Sequence, residues 1–309
     1  MSNLDLVVGG CGFIGSHVVD ALLQQGRRVR VLDDLSTGYA YNIKNLDCEF
    51  QQGSAADPKL AAMACEGVQR IFHLGARPSV PWSFQEPALA YHANHGTTLA
   101  LIDAASHAGV KRLVFSSSSA IYGDSAALPK MEEMQPAPKS PYAEHKLAGE
   151  IALYAAASAG KLEAASLRYF NVYGPRQDPS SPYSGVISLF AKWIQDQKDP
   201  TFFGDGQQTR DFVYVGDVVK ANLLAAEAAQ STAAPVYNVA SGSSISIAEL
   251  WNTMCLVAGC AAGIPTFLES RVGDVRHSSA SLEKIERELG FNADVDLRAG
   301  LELTLSHLL

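Results

Sequence analysis

The chain has 309 residues, 47% hydrophobic and 18% charged, with a net charge of −8. That length accommodates a large core in one domain or in two closely joined ones, and the acidic balance argues against nucleic acid as the main partner. No segment reaches the roughly 20 apolar residues of a membrane helix, and the first residues lack the cationic-then-apolar order of a secretory leader. The five cysteines show no C-x-x-C spacing, so they read as buried thiols of a cytoplasmic protein, with neither a metal site nor a disulfide framework suggested.

In chain order, Leu4 to Val8 is a short apolar run of the kind a buried parallel strand shows. Gly9-Gly10-Cys11-Gly12-Phe13-Ile14-Gly15 follows, then a helical period at Val18, Val19, Leu22 and Leu23 that stops at Gly26. A second run, Val29 to Leu32, ends in Asp33-Asp34. Strand, glycine turn, helix, strand and acid in this order form the dinucleotide-binding unit. Gly9 permits the turn, Gly12 lets the backbone approach a pyrophosphate, and Gly15 allows close packing of the helix. The helix N-terminus offers free N–H groups to the phosphates. Asp33 is expected to take the adenosine ribose hydroxyls, and its charge disfavours a 2′-phosphate, which selects NAD over NADP. Arg27, Arg28 and Arg30 are read as surface residues.

Apolar β-branched runs then alternate with helical patterns: Arg70 to Leu74, Thr97 to Ala108, Arg112 to Phe115. The rhythm predicts an α/β, doubly wound parallel (Rossmann) sheet with helices on both faces. Ser116 to Tyr122 is expected to be a loop at a strand's carboxyl end, where such sheets bind ligands. After Arg168-Tyr169-Phe170-Asn171 the texture changes to a Pro-, Ser- and Gly-rich segment, Tyr173 to Pro182. The expected division is a dinucleotide-binding domain over 1–171 and a smaller α/β substrate lobe over 172–309, with segments near 212–239 returning to the first.

Tyr142 and Lys146, in Ser140-Pro141-Tyr142-Ala143-Glu144-His145-Lys146, fall four apart at the start of an Ala-rich helical stretch. That spacing puts both side chains on one helix face. A phenol beside an ammonium is a proton-transfer device, because the positive charge favours phenolate; on a solvated face the same spacing carries no chemistry. Ser118, in the run Ser116 to Ser119, is the third candidate.

With these blocks in place the sequence resembles the extended short-chain dehydrogenase/reductase superfamily, and within it the UDP-hexose 4-epimerases, most closely the branch acting on UDP-N-acetylhexosamines. The resemblance runs over nearly the whole chain. It includes Gly9 to Gly15, Asp33, His73-Leu74-Gly75-Ala76, Asn94, Ser116 to Gly123, Tyr142 to Lys146, Arg168 to Gln177, Gly204-Asp205-Gly206, Arg210-Asp211-Phe212 and Arg271 to Ser278. It implies bound NAD, held by Gly9, Gly12, Phe13, Ile14, Gly15, Asp33, Thr37, Gly38, Ser54, Leu74, Ala76, Asn94, Tyr142, Lys146 and Tyr169. It implies a UDP-sugar substrate met by Ser79, Ser118, Ser119, Tyr142, Asn171, Gln177, Gly185, Val186, Phe203, Arg210, Arg271, Asp274 and Ser278, and no metal.

In the implied reaction Tyr142 takes the proton of the sugar 4-hydroxyl while hydride passes from C4 to NAD, and the transient 4-keto sugar turns over before hydride returns. Lys146 holds the nicotinamide ribose and keeps the tyrosine near working pH, and Ser118 binds the 4-oxygen. Arg210 and Arg271 would clamp the diphosphate with Asn171, Phe203 would stack on uracil, and Asp274 would accept from the uridine ribose. Ser278 falls at the position that gates the N-acetyl group, with Gln177 and Gly185 beside it; its alternative role is to cap a helix beginning near Ser281. A homodimer paired through helices around Thr98 to Ala108 and Tyr142 to Ala157 is also implied.

Some positions depart from the family pattern. Ser54 stands where relatives carry Asp against adenine, Arg77-Pro78 lies close to the sugar, and His95-Gly96 follows Asn94. The alternatives are an epimerase restricted to UDP-glucose and UDP-galactose, a sugar-nucleotide dehydratase or decarboxylase, and a nonenzymatic NAD-binding regulator. Ser119-Ala120 stands where dehydratases carry an Asp-Glu pair, and the retained Ser118, Tyr142 and Lys146 speak against the regulator.

Overall fold

The computed structural model describes residues 3–178, 185–229, 233–269 and 276–308, and the chain divides into two compact units. The first comprises 1–121, 138–168 and 219–237. In chain order its elements are β1 (Leu4–Val8), α1 (Phe13–Gln24), β2 (Arg28–Asp33), β3 (Glu49–Gln52), α2 (Pro58–Cys65), β4 (Arg70–His73), α3 (Val80–Gln85), α4 (Pro87–Tyr91), α5 (Thr97–Ala108), β5 (Arg112–Ser118), α6 (Pro141–Ser158) and β6 (Glu163–Tyr169). The elements that follow are β7 (Asn171–Tyr173), α7 (Val186–Gln195), β8 (Thr201–Phe203), β9 (Thr209–Tyr214), α8 (Val215–Glu227), β10 (Val236–Val239), β11 (Ser244–Ser246), α9 (Ile247–Ala258), β12 (Thr266–Leu268), α10 (Glu283–Leu289) and α11 (Leu297–Leu308).

Seven strands form one sheet in the order β10-β6-β5-β4-β1-β2-β3, and β1 pairs in parallel with both β2 and β4. The order reverses at β1, which makes the β1/β4 boundary the topological switch point where a doubly wound sheet opens a crevice. The doubly wound expectation holds. All five residues of β1 are buried, and Leu6, Ile71, Leu113 and Phe115 meet Ala61, Ala64, Leu101 and Ala104 of α2 and α5 in one core cluster. Each fully buried Leu or Phe is worth ~1.5–3 kcal/mol over leaving it in water. Helix starts follow local chemistry. Asp57 accepts from Lys59 N and Leu60 N at the head of α2, and Ser140 accepts from Ala143 N at the head of α6 with Pro141 in the first turn. Such caps contribute ~1 kcal/mol each.

Three expectations need correcting here. Arg27 is not a free surface residue: its guanidinium grips the fully buried Asp5 carboxylate at 2.7 and 2.8 Å, and Arg70 grips the same group from β4. The Asp5 acid inside β1 needs such cations to lie in low dielectric; Arg30 is also partly buried and pairs with Glu49, which is itself exposed. Ser116 to Ser118 belong to β5 and not to a loop, since the strand runs on past Phe115. Among the cysteines, Cys11, Cys65 and Cys255 are buried, but Cys260 is exposed just past Gly259, which ends α9 in a left-handed turn.

The second unit comprises 122–137, 169–218 and 238–309. Its three-stranded sheet has the order β11-β9-β7, and β8 and β12 pair separately in parallel. Phe190, Phe202, Trp251, Met254 and Leu301 form its core. Two boundaries differ from those expected. The segment 122–137 lies here, tied down by the Tyr122 hydroxyl donating to Asn238 Oδ1 at 2.7 Å and by Asn238 Nδ2 donating to the Lys130 carbonyl at 2.9 Å. Phe212 lies on β9 in this unit, and the return to the first unit begins only at Val219.

Candidate active site

The crevice at the switch point is lined by the carboxyl ends of four strands: Val8, Gly9 and Gly12 after β1, Leu32 and Asp33 at β2, Gly53 and Ser54 after β3, and Leu74 to Arg77 after β4. Gly9 has φ +79°, and a Cβ there would come within 2.7 Å of Gly75 N, so neither backbone nor space admits a side chain. A Cβ on Gly15 would lie 2.0 Å from the Gly9 carbonyl oxygen, so Gly15 serves the packing of α1 on the glycine turn itself. Helix α1 starts at Phe13 with Gly12 as its cap residue and no side chain capping its first turn, which carries Phe13, Ile14 and Gly15.

Asp33 sits across the crevice, buried, with its carboxylate fixed by Cys11 N on Oδ2 and Leu35 N on Oδ1, both at 2.8 Å. Burial raises its pKa and these two N–H groups pull it back. Burial and the Asp33 charge push the neighbouring Cys11 thiol up to about 12, which makes it inert.

These groups fit a dinucleotide: side-chain-free amides for a pyrophosphate, a fixed carboxylate for ribose hydroxyls, and Thr37 and Ser54 on the same wall. Ser54 Oγ is partly used, accepting from Ala56 N at 3.2 Å. Gly38 packs against the Cys11 backbone, where a Cβ would meet it at 2.7 Å. Asn94 is buried and uses its amide in both directions on the Arg77 backbone, at 2.8 and 3.4 Å, so it shapes the crevice wall through Arg77. Tyr169 is buried at the end of β6.

Ser118, Tyr142 and Lys146 come together in the first unit. The Ser118 hydroxyl lowers the pKa of the Tyr142 phenol and accepts from Ala120 N at 3.2 Å. Lys146 is buried, donates from Nζ to the Ser116 carbonyl at 2.6 Å, and lies 4.9 Å from the Phe115 ring centroid. Its distance to the Tyr142 ring centroid is 5.9 Å. The electrostatics therefore differ from those expected. Burial raises the Tyr142 pKa, and the group that offsets this is Ser118, because the lysine's charge is directed at the strand backbone. Burial pushes Lys146 itself down to about 7, with the Glu150 carboxylate pulling it up.

Several functional neighbours carry weak sequence signals. Ser83 Oγ accepts from Tyr142 N at 3.2 Å, across 59 residues, and nothing in the sequence marks that pairing. Glu150 continues the four-residue step from Tyr142 through Lys146, a signal that was there to be read. Ser79 is buried and caps α3, accepting from Trp82 N at 3.0 Å, which orients it for the helix before any substrate. Ser119 opens a 3₁₀ turn, Ser119–Tyr122, and is half-buried.

In the second unit, Asn171 donates from Nδ2 to the Asp211 carbonyl at 3.1 Å, and Arg210 follows Thr209 on β9, donating from Nη1 to its carbonyl at 2.8 Å. The Asp211 carboxylate accepts from Ser241 N and Oγ at 2.8 Å each. Gln177 and Gly185 do meet: a Cβ on Gly185 would lie 3.5 Å from Gln177 Nε2, and Gln177 Oε1 accepts from Ser188 Oγ at 3.0 Å. Gly185 is the cap residue of α7, which begins at Val186. Phe203 ends β8, half-buried. Ser278 donates its N–H to the Thr209 carbonyl at 3.2 Å, one residue from Arg210, and is half-buried. It caps nothing: α10 begins at Glu283, and Ser281 Oγ accepts from Glu283 N at 3.4 Å. Arg271 and Asp274 lie outside the described residues.

Among the described residues, no cluster of metal ligands exists and no helix is long and apolar enough to cross a membrane. A UDP-glucose 4-epimerase from Mycolicibacterium smegmatis is 37% identical over 306 residues, covering 97% of this chain and 96% of that one. Two solved structures superpose closely. The UDP-glucose 4-epimerase of Thermotoga maritima with UDP-glucose has TM-score 0.94, 37% identity and 98% coverage of both chains. The UDP-N-acetylglucosamine 4-epimerase of Methanobrevibacter ruminantium M1 in complex with UDP-N-acetylmuramic acid has TM-score 0.93, 36% identity, and covers 99% of this chain and 98% of that one. The profile of the NAD dependent epimerase/dehydratase family matches residues 6–240, and with these likenesses the chain belongs to that family, with NAD as its cofactor.

Proposed function

We propose that the protein is a UDP-sugar 4-epimerase that interconverts UDP-N-acetylglucosamine and UDP-N-acetylgalactosamine through a transient 4-keto sugar, and accepts UDP-glucose and UDP-galactose at a lower rate. The observation that carries the reading is the placement of Ser118, at the end of β5, where it lowers the pKa of the Tyr142 phenol, with Lys146 one helical turn on. NAD, when bound, supplies the hydride acceptor and donor for sugar C4. The chain's own part is proton handling. Tyr142 removes the 4-hydroxyl proton and returns it on either face, Ser118 holds the 4-oxygen in line, and Lys146 supplies positive charge beside the site. Gly9, Gly12 to Gly15, Asp33 and the wall from Leu74 to Arg77 would hold the dinucleotide.

Asn171, Arg210, Phe203 and, outside the described residues, Arg271 and Asp274 are assigned to the UDP moiety. A guanidinium is suited to phosphate oxygens by its permanent charge and planar donors. Ser278, with Gln177 and Gly185, is assigned to the N-acetyl group, since a small residue leaves volume that an aromatic ring would fill. Ser119-Ala120 supports epimerisation over dehydration within the same family, because no carboxylate follows Ser118 to remove a proton from C5.

A homodimer is part of this reading. Leu99 on α5 and Ile151 and Tyr154 on α6 are exposed, the last two at 61% and 59%, and a second copy would cover them. Assay of the four UDP-sugars in parallel, with NAD recovered from the denatured protein and mass measured by light scattering, tests each part. Conversion of UDP-N-acetylglucosamine without added NAD is the expected result. Turnover of the plain pair alone would overturn the acetyl assignment.

A further inference from the structure

Three consecutive residues at the end of β5 engage three successive turns of α6. The Ser118 hydroxyl lowers the pKa of the Tyr142 phenol, the Ser116 carbonyl accepts from Lys146 Nζ at 2.6 Å, and Ser117 Oγ donates to Glu150 Oε1 at 2.5 Å. The first two contacts hold groups that the reaction uses. The third holds a buried carboxylate with no part in that chemistry. Glu150 is gripped from β6 by Arg168, Nε to Oε1 at 2.9 Å and Nη2 to Oε2 at 2.8 Å, and both side chains are over nine-tenths buried. A buried ion pair is often no more stabilising than apolar residues of the same volume. Its presence here is better accounted for by what it holds in place.

We propose that Glu150 is the positioning residue of this site: anchored by Arg168, it fixes Ser117, and with it the strand end that presents Ser118 to Tyr142 and the Ser116 carbonyl to Lys146, and it places a negative charge one helical turn from Lys146. The proposal rests on the epimerase reading for the reaction it serves. The groups around Lys146 are consistent with it. On α6 they are Tyr142 and Glu150; on β5, the Phe115 ring and the Ser116 carbonyl; on β4, His73, which is neutral; on β6, Arg168, whose charge is answered by Glu150. Glu150 is thus the anion that opposes desolvation of the lysine. A neutral residue in its place would leave Arg168 as an unanswered second cation.

The test uses the NAD-loaded enzyme with Glu150→Gln, Glu150→Asp and Ser117→Ala. One readout is independent of turnover: the rate at which acetic anhydride labels Lys146, followed by peptide mass spectrometry across pH, gives the midpoint of its deprotonation. The other is the pH dependence of kcat and KM for a UDP-sugar. Glu150→Gln is expected to lower the labelling midpoint by about one pH unit or more. It should also lower kcat at pH 8 by about tenfold or more and change KM less than about twofold, as loss of a transition-state contribution does. Glu150→Asp retains the charge and should restore the midpoint. Ser117→Ala keeps the ion pair, so the midpoint should stay while kcat falls.

A wild-type midpoint and kcat profile in Glu150→Gln would overturn the proposal. Should that variant not fold, undiminished kcat in Ser117→Ala overturns the positioning role. If the wild type turned over no UDP-sugar but the midpoint still moved in Glu150→Gln, the epimerase reading would fail and the lysine–glutamate coupling would stand. Turnover with an unmoved midpoint is the reverse.

Discussion

The Phe115 ring lies directly against Gly149: a Cβ on that glycine would come within 2.7 Å of Phe115 Cζ. The same ring lies under the Lys146 ammonium, 4.9 Å from its centroid. A mid-helix glycine ordinarily costs stability relative to alanine, so the packing of strand on helix, not helix propensity, accounts for it.

Gly149→Ala is therefore expected to destabilise the fold by ~1–3 kcal/mol, because the added methyl overpacks a filled core. The displaced ring would also unseat Lys146 and lower kcat. Chemical denaturation together with the epimerase assay checks both effects; a variant as stable and as active as the parent would contradict this packing.

His73 makes the fold sensitive to acid. Its Nε2 lies 3.0 Å from Thr98 Oγ1, whose own hydroxyl hydrogen goes to the Asn94 carbonyl, so Nε2 carries the ring hydrogen. Burial, and secondarily the Lys146 charge, push the imidazole from 6.5 down to about 3. The unfolded chain thus binds the proton that the folded chain refuses, and stability contributed by neutral His73 is lost as pH falls from about 6.5 towards 3. The slope is ~1.4 kcal/mol per pH unit for one proton. Replacing His73 by Gln should flatten the pH dependence of the denaturation midpoint in that window, as urea titrations would show.

Much of this was legible in the sequence, and for stated reasons. The β1–α1–β2 unit shows because strand, glycine turn, helix and acid are neighbours in the chain, and Tyr142 and Lys146 show because a helix repeats every few residues. The Glu150–Arg168 pair, the Asp5 carboxylate shared by Arg27 and Arg70, and Ser83 behind Tyr142 are contacts between distant segments. No local period marks them. The place of the segment 122–137 in the second unit is hidden for the same reason: its ties to Asn238 and Ser279 span more than a hundred residues.

Tyr142→Phe retains the ring and removes the hydroxyl whose pKa Ser118 lowers. Epimerisation should drop by ~10²–10⁴-fold, the usual worth of a general acid–base. NAD should stay bound, since the crevice from Gly9 to Arg77 is untouched. Steady-state kinetics with cofactor content by absorbance checks this, and more than half the parent activity would remove Tyr142 from the role.

Ser278→Tyr places a phenol ring beside Thr209 and Arg210, where Ser278 docks by its backbone. Turnover of the acetylated pair should be lost and that of UDP-glucose and UDP-galactose spared, because overlap rejects the larger sugar only. Equal loss on both pairs would show that the residue does not gate the acetyl group.

In the proposed reaction one enzyme oxidises and re-reduces C4 of a UDP-N-acetylhexosamine with proton transfer through Tyr142. Incubating UDP-N-acetylglucosamine deuterated at C4 with the enzyme as purified, in ordinary water and without added NAD, measures it most directly. The expected product is UDP-N-acetylgalactosamine with the deuterium retained at C4. Deuterium lost to water, or a 4-keto product that accumulates without an epimer, would contradict it.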